Sequence, residues 1–524
     1  MPASLRQALR SLKRTPVFAV TASVTLMLGI GSVAAMFAIA YGVLLAPLPY
    51  GHPDRLISVG LAAPSPAARR VLLPAGAYFT YQRFARRLDD IAFYRTGNGN
   101  MWVGTNDDPE RVTSTWITAS TIPLLQVTPL LGRGYFTAEE EGAHGRNAAI
   151  ISESVWRSRF HADSGVVGKT LYVNSVPRVV VGVMPESFHF PAADTRLWLP
   201  AKLDRAGTTV GDFSWSSVAR LKEGANAAEA QADLAAALSR IAESYPRLES
   251  GTSTAAWLDQ TRPRPTVLAL RDEMTNGIAR TLWMLAAAAG LVLLVACANV
   301  ANLMLIRADG RQLELAVREA LGAGRMRIAT HFLGEALVLT TVAGPVAFVM
   351  AWAAVRALVA FGPADVPRLV ELNAGGMTVG FVALVSLVSA VVCAAVPAFR
   401  LRRTNLSVNL RDGGRSETAG RTRQRLRATI AAVQIAVALV VVAGSALLLR
   451  TFERLRHEPP GFDATNVITI STQLPFARYD DSASVSYYAR LTAAVAGLPT
   501  VRAVGVTNRL PLADGEALQQ GFRV

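Results

Sequence analysis

Five stretches of this chain run for twenty or more residues without a single charge, and nothing else in the sequence limits the fold so strongly. They are Val17–Leu45, Thr281–Ile306, Ala336–Val355, Met377–Phe399 and Ala428–Leu449. A helix rises about 1.5 Å per residue, so about twenty apolar residues cross the hydrocarbon core of a bilayer. One Lys or Arg at the centre of such a helix costs about 2.5–3.5 kcal/mol on insertion scales. Their absence from all five runs predicts an α-helical membrane protein with five transmembrane helices. The first run follows a basic segment (Arg6, Arg10, Lys13, Arg14) as a cleaved leader would. At about 29 residues it exceeds the 7–15-residue apolar stretch of a leader, which favours an uncleaved anchor.

Orientation follows from Lys and Arg in the short flanks. The amino terminus, the second-to-third connection (Arg307, Arg311, Arg318, Arg325, Arg327) and the fourth-to-fifth connection (Arg400 through Arg427) are basic. The third-to-fourth connection has only Arg356 and Arg368. The amino terminus is therefore expected in the cytoplasm of a bacterial inner membrane. The expected division is a cytoplasmic amphipathic segment 1–16, spans at 17–46, 280–306, 335–356, 377–399 and 428–449, a cytoplasmic loop 307–334, a short external loop 357–376 and a basic linker 400–427. Two segments face outward: a mixed α/β extracytoplasmic domain at 47–279 and an incomplete second one at 450–524. The basic excess, a net charge of +15, crowds beside the apolar runs and not along one soluble face, which argues against a nucleic-acid partner and for membrane lipid.

In the exported segment, alternation and β-branched residues predict strands at Leu56–Val59, Ala148–Ser152, Thr170–Val173 and Arg178–Val183, with a hairpin turn at Asn174–Ser175. Gly224 to Tyr245 has a helical period, with Leu234, Leu238 and Ile241 on one face. The segment is long enough to bury its own core, in two expected subdomains. Trp102, Trp116, Trp156, Trp198 and Trp215 read as core or interface anchors, with an aromatic ligand patch as the other reading.

Chemistry-bearing motifs are few. Gly168-Lys169-Thr170 resembles a phosphate loop, but Asp163 stands where the first glycine is required. Gly29-Ile30-Gly31 matches part of a dinucleotide fingerprint inside an apolar run, where close helix packing through Gly29 and Gly31 explains it better. Six histidines show no ligand spacing, and Cys297 and Cys393 fit neither a metal pattern nor a disulfide framework. No catalytic, cofactor or metal site is expected. Asn299 and Asn302 put amides inside a span, as glue or at a moving interface. Glu335 reads as a boundary residue at a span entrance. Gln312 to Leu321 forms an amphipathic helix pattern in which Glu314 and Arg318 pair four residues apart, and Gly322 ends it. Such a helix either lies on lipid or docks on a partner.

The end of the chain echoes its beginning. Leu44-Leu45, Asp54 and the strand Leu56–Val59 recur as Leu448-Leu449, Asp463 and Val467–Ile470, and Tyr81–Leu88 resembles Tyr487–Leu491. A second copy of the unit, ending at Val524 before it is complete, is expected.

These motifs together resemble the MacB/FtsX-type permease family of ABC systems, in its large fused branch. The likeness rests on Leu45-Ala46-Pro47-Leu48-Pro49-Tyr50, Pro53-Asp54-Arg55-Leu56, Leu131-Gly132-Arg133, Ser152 with Trp156, Phe160 and Gly168, and Val181-Gly182-Val183-Met184-Pro185. It continues through Ala296-Cys297-Ala298-Asn299-Val300-Ala301-Asn302-Leu303, Glu314-Leu315-Ala316-Val317-Arg318, Ala320-Leu321-Gly322-Ala323, Glu335, and Leu410 to Arg415. The resemblance implies four spans per unit, a MacB-like core domain, no active site in this chain, and a separate cytoplasmic ATPase that binds the ATP. It makes Glu314, Val317, Arg318, Leu321 and Gly322 the coupling surface for that ATPase. A second permease unit and periplasmic or outer-membrane export components are the further partners implied, with efflux, export or lipoprotein extraction as the work done. A membrane-anchored receptor or scaffold without transport activity, and an anchored enzyme, are the rival readings.

Overall fold

The computed structural model describes residues 10–62, 70–104, 110–142, 145–205, 207–208, 210–248, 250–309, 325–362, 368–403, 417–458, 466–470, 472, 474, 479 and 481–507. The chain divides into two compact units, Met1–Ala46 with Thr275–Glu458, and Pro47–Met274 with Pro459–Val524.

In the first unit, five helices among the described residues are long and apolar enough to cross a membrane: Pro16–Leu45, Leu270–Ala308, Thr330–Phe361, Gly376–Ala395 and Ala431–His457. Proline sits at the start of the first, where a missing N–H leaves no helical bond unmade. This helix is α-helical over Pro16–Ala40 and finishes as a π-helical turn, Tyr41–Leu45. Spans one to four bury a common core that includes Leu26, Ile30 and Ala34, Cys297, Val300 and Met304, Ala336, Ala343 and Ala347, and Ala390 and Cys393. Their other faces present Leu28, Val292, Val349 and Leu384 outward. Helices apolar on all sides fit a solvent of lipid. In the fifth span, none of the most apolar stretch is buried.

The second unit is built on one sheet of eleven strands among the described residues. They are β1 Leu56–Ala62, β2 Leu73–Pro74, β3 Leu88–Val103, β4 Glu110–Ile117, β5 Leu131–Gly132, β6 Ala148–Ser152, β7 Thr170–Val173, β8 Val176–Met184, β9 Thr195–Pro200, β10 Phe213–Leu221 and β11 Arg264–Ala269. The order is β11-β1-β10-β3-β4-β9-β6-β8-β5, with β2 on β10 and β7 joining β3 and β8. Only β4–β9 and β6–β8 run parallel. The sheet is continuous across the two expected subdomains, and three apolar cores pack on it. Four expected strands lie within β1, β6, β7 and β8. Asn174 and Ser175 both adopt positive φ (50° and 65°), as the tight turn matching right-handed strand twist requires.

The expected helix is Ala227–Leu238. Its Asn226 side chain accepts from the Glu229 N–H at 2.9 Å and donates to the Glu229 carboxylate at 3.0 Å, closing the amino-terminal turn. Ala230, Leu234, Ala237 and Leu238 face the core; Ile241 continues that face from a separate short helix, Ile241–Ser244. Trp198 is fully buried, with its indole donating to the Phe190 carbonyl at 2.8 Å, and Trp215 is buried too. Trp116 and Trp156 are half-buried. The echo at the end of the chain is only partly structural. Tyr487–Leu491 lies in helix Asp481–Ala496, but Val467–Ile470 is exposed and forms no strand, a correction to the expected copy of β1. Among the described residues no strand pairs with Val467 to Ile470, and β-branched residues without a ladder do not make one.

A polar niche in this unit gathers Tyr78, Asp90, Thr118, Ser120 and Glu141. Burial raises the Asp90 carboxyl, with Asp89 adding to the effect and the Ile91 N–H opposing it. Burial likewise raises Glu141, with Asp90 adding and the Ala119 N–H opposing. Burial, then the Glu141 charge, pushes the Tyr78 phenol up to about 12. Acids raised in the folded state stabilise it below their unfolded values, about pH 4, and that contribution disappears as pH rises through the folded values. Asp90→Asn with Glu141→Gln keeps both acceptor oxygens and removes both charges. In thermal unfolding of the full chain, the double variant is expected to melt above the wild type near neutral pH, with the gap closing toward about pH 4. A gap that does not change with pH would reject this account.

Candidate functional site at the two ends of the first span

Glu335 sits in the first turns of the third span and is only 2% exposed. A carboxylate there needs partners, because lipid offers none. The Ser11 hydroxyl donates to it at 2.6 Å, Arg307 Nη1 approaches to 3.7 Å, and His331 Nε2, one turn earlier on the same helix, stands at 3.6 Å. Arg307 Nη2 also donates to the Ser11 carbonyl at 2.7 Å and hydroxyl at 2.8 Å, and its guanidinium covers the Phe18 ring at 4.8 Å. The turn before the first span, the end of the second and the start of the third are thus fastened at one point. Glu335 stands at the span entrance, as expected of a boundary residue, and its partners come from other helices and from His331.

The opposite end of the first span is held by a second arginine. The π-helical turn closes with the Ala46 N–H donating to the Tyr41 carbonyl at 2.6 Å, and carbonyls beyond it have no helical donor. Arg368 Nη1 donates to the Ala46 carbonyl at 2.8 Å and the Val43 carbonyl at 3.4 Å, while its Nε donates to Glu371 at 2.8 Å. A cation is well placed at a helix carboxyl terminus, where the macrodipole is negative.

Between these clamps the first span lies between two others. A Cβ on Gly29 would stand 2.9 Å from the Ala296 Cβ of the second span, a contact that only glycine accommodates. A Cβ on Gly31 would stand 3.6 Å from the Ala347 backbone of the third span, an ordinary contact. Of the two intramembrane amides, Asn299 faces outward, and Asn302 is half-buried with no partner for its Oδ1 among the described residues. Glu314, Val317, Arg318, Leu321 and Gly322 lie outside the described residues; the described helices end at Asp309 and resume at Arg325 on either side of them.

In the second unit, an open cleft of about 420 Å³ is lined by Tyr81, Arg83, Asp89, Asp90 and Arg205, among others. No group of three His, Cys, Asp or Glu among the described residues is arranged to hold a metal. Sequence reasoning counted Arg307 only as an orientation charge. The available signal was the acid at the start of the next span, for which Arg307 is the cation at the end of the preceding one. Ser11 carried no signal.

Spans with a large α/β domain between the first and second define a multi-span membrane protein with an extramembrane domain. Two family models match in that order, a MacB-like periplasmic core domain over residues 19–237 and an FtsX-like permease carboxyl-terminal domain over residues 286–406. The chain belongs to the MacB/FtsX-type permease family. The macrolide export ATP-binding/permease protein MacB of Escherichia coli K12 is 30% identical over 213 residues, covering 40% of this chain and 30% of that protein. The Shigella flexneri protein of the same name matches to the same extent. The match thus spans less than a third of these relatives. Among solved structures, the periplasmic region of MacB from Actinobacillus actinomycetemcomitans is 12% identical with a TM-score of 0.31, over 43% of this chain and 93% of that one. The extracellular domain of the noncanonic ABC-type transporter YknZ from Gram-positive bacteria is 13% identical with a TM-score of 0.27, over 41% and 99%.

Proposed function

We propose that this chain is the membrane subunit of an ABC-type complex, carrying ATP-driven motion of a separate cytoplasmic ATPase to the extracytoplasmic domain. The work done is efflux, export, or extraction of lipid or lipoprotein. The observation that carries this reading is the fastening of Arg307 to Glu335. These residues flank residues 310–324, so a push on that connection reaches the second and third spans together and, through Ser11, the first. Family membership supports the ABC assignment, and the arginine-rich flanks support a cytoplasmic amino terminus. Glu314, Val317, Arg318, Leu321 and Gly322 are the proposed ATPase contact. A second permease unit and outer export components complete the proposed assembly.

The test is co-purification of the full chain with an ATPase and measurement of ATP turnover in the complex. Glu314→Ala with Arg318→Ala is expected to weaken the contact about tenfold if it is worth about 1.4 kcal/mol, and to lower coupled turnover accordingly. A complex that forms normally and turns over ATP unchanged would reject this docking surface.

A further inference from the structure

We propose that Cys297 and Cys393 form one oxidisable site inside the span bundle, a dithiol that closes to a disulfide and ties the second span to the fourth. They are the only two cysteines in the chain, lie 96 residues apart, and are 3% and 0% exposed. The Cys393 thiol donates to the Cys297 carbonyl at 3.5 Å, which sets the two cysteines against each other across the seam between the second and fourth spans. Ser389 lies one turn before Cys393 and is 1% exposed. Alanines Ala296, Ala301, Ala390 and Ala394 surround the pair, all buried, and their small side chains let the two helices come close. Packing alone asks for two small residues here; it does not ask for both of the chain's cysteines at one seam.

Closure breaks two S–H bonds and forms one S–S bond. Two protons and two electrons leave to an acceptor, and for a pair buried inside the span bundle a membrane-dissolved acceptor is the fitting class. A lipid-soluble quinone meets that need by becoming the quinol. The bond itself does not depend on the transport reading; its consequence does, since a tie between two spans arrests the bundle only if the bundle moves.

The experiment uses the full chain in lipid vesicles with iodine, which partitions into the bilayer and oxidises two thiols to a disulfide with release of two hydrogen iodides. The wild type is expected to lose both maleimide-reactive thiols together, measured after denaturation, and to regain both with dithiothreitol. Peptide mass mapping is expected to show the two cysteine peptides joined and lighter by two hydrogens. Cys297→Ser and Cys393→Ser are each expected to keep the remaining thiol within the monomer. Retention of both thiols in the wild type, or links only between separate chains, would overturn the proposal. Oxidation that forms the bond yet leaves ATP turnover unchanged would uphold the site and count against a moving second-to-fourth seam.

Discussion

Arg220→Met is expected to lower the stability of the α/β unit by about 3 kcal/mol. Arg220 lies on β10, is 2% exposed, and among the described residues has only backbone carbonyls as hydrogen-bond partners. Its Nη2 donates to the Gly51 and Leu124 carbonyls, each at 2.6 Å, its Nε to the Leu124 carbonyl at 3.1 Å, and its Nη1 to the His52 carbonyl at 3.2 Å. Leu124 belongs to the short helix Thr121–Leu125, whose last carbonyls have no helical donor. Methionine nearly fills the volume, so the cavity contribution is small. What remains is two orphaned carbonyls, Gly51 and Leu124, at about 1–3 kcal/mol each, offset in part by no longer desolvating a cation; the His52 carbonyl keeps the Arg55 N–H at 3.1 Å. In a unit of this size about 3 kcal/mol corresponds to roughly 6–12 °C in Tm. Thermal unfolding followed through the fluorescence of buried Trp198 and Trp215 measures it. Arg220→Lys is expected to recover only part, because an ammonium cannot reach three separated carbonyls as a planar fork does. A shift below about 2 °C for Arg220→Met would show that water replaces the guanidinium without loss.

The spans and the outer strands were legible for one reason: both rest on patterns local to the chain. Charge-free runs longer than a bilayer core admit no other stable fold. The β7–β8 hairpin was legible because Asn174 and Ser175 tolerate positive φ between two alternating segments. The full sheet was not. The pairing of β10 with β1 joins Leu56 to Arg220, and no local pattern encodes a register across that separation. The echo of β1 at Val467–Ile470 forms no strand among the described residues, since resemblance to a strand does not supply a neighbour to pair with.

The site shows the same divide. Gly29 and Gly31 were marked by small-residue spacing, which is a property of one helix. Ser11, Arg307 and Glu335 contact one another across 296 and 324 positions of sequence. Their residue types were visible; their meeting depends on three helix ends arriving together. Arg368, counted beforehand only as a charge, is fixed by carbonyls that a π-helical turn leaves open.

Breaking the pair of Arg307 and Glu335 from one side is expected to be far worse than removing both. Glu335→Met leaves Arg307, 11% exposed in its side chain, with less compensation for its charge, and Arg307→Met leaves a carboxylate 3% exposed. Removing one partner of a buried ion pair costs about 3–5 kcal/mol, while replacing both with apolar groups of similar volume is often neutral. The double variant is therefore expected to be more stable than either single variant, with a coupling of about 2–3 kcal/mol in the cycle. Detergent-solubilised full chain, heated and assayed for the fraction remaining monodisperse, gives the comparison. Ser11→Ala, which removes one hydroxyl shared by both groups, is expected to fall between wild type and the singles. The double variant then separates two roles for the fastening. If it folds but loses coupled ATP turnover, the charges do more than hold three helix ends; if it folds and turns over normally, packing alone carries the motion. Additive losses in the singles would mean that each charge is anchored elsewhere, and the fastening of the three spans would not be a unit.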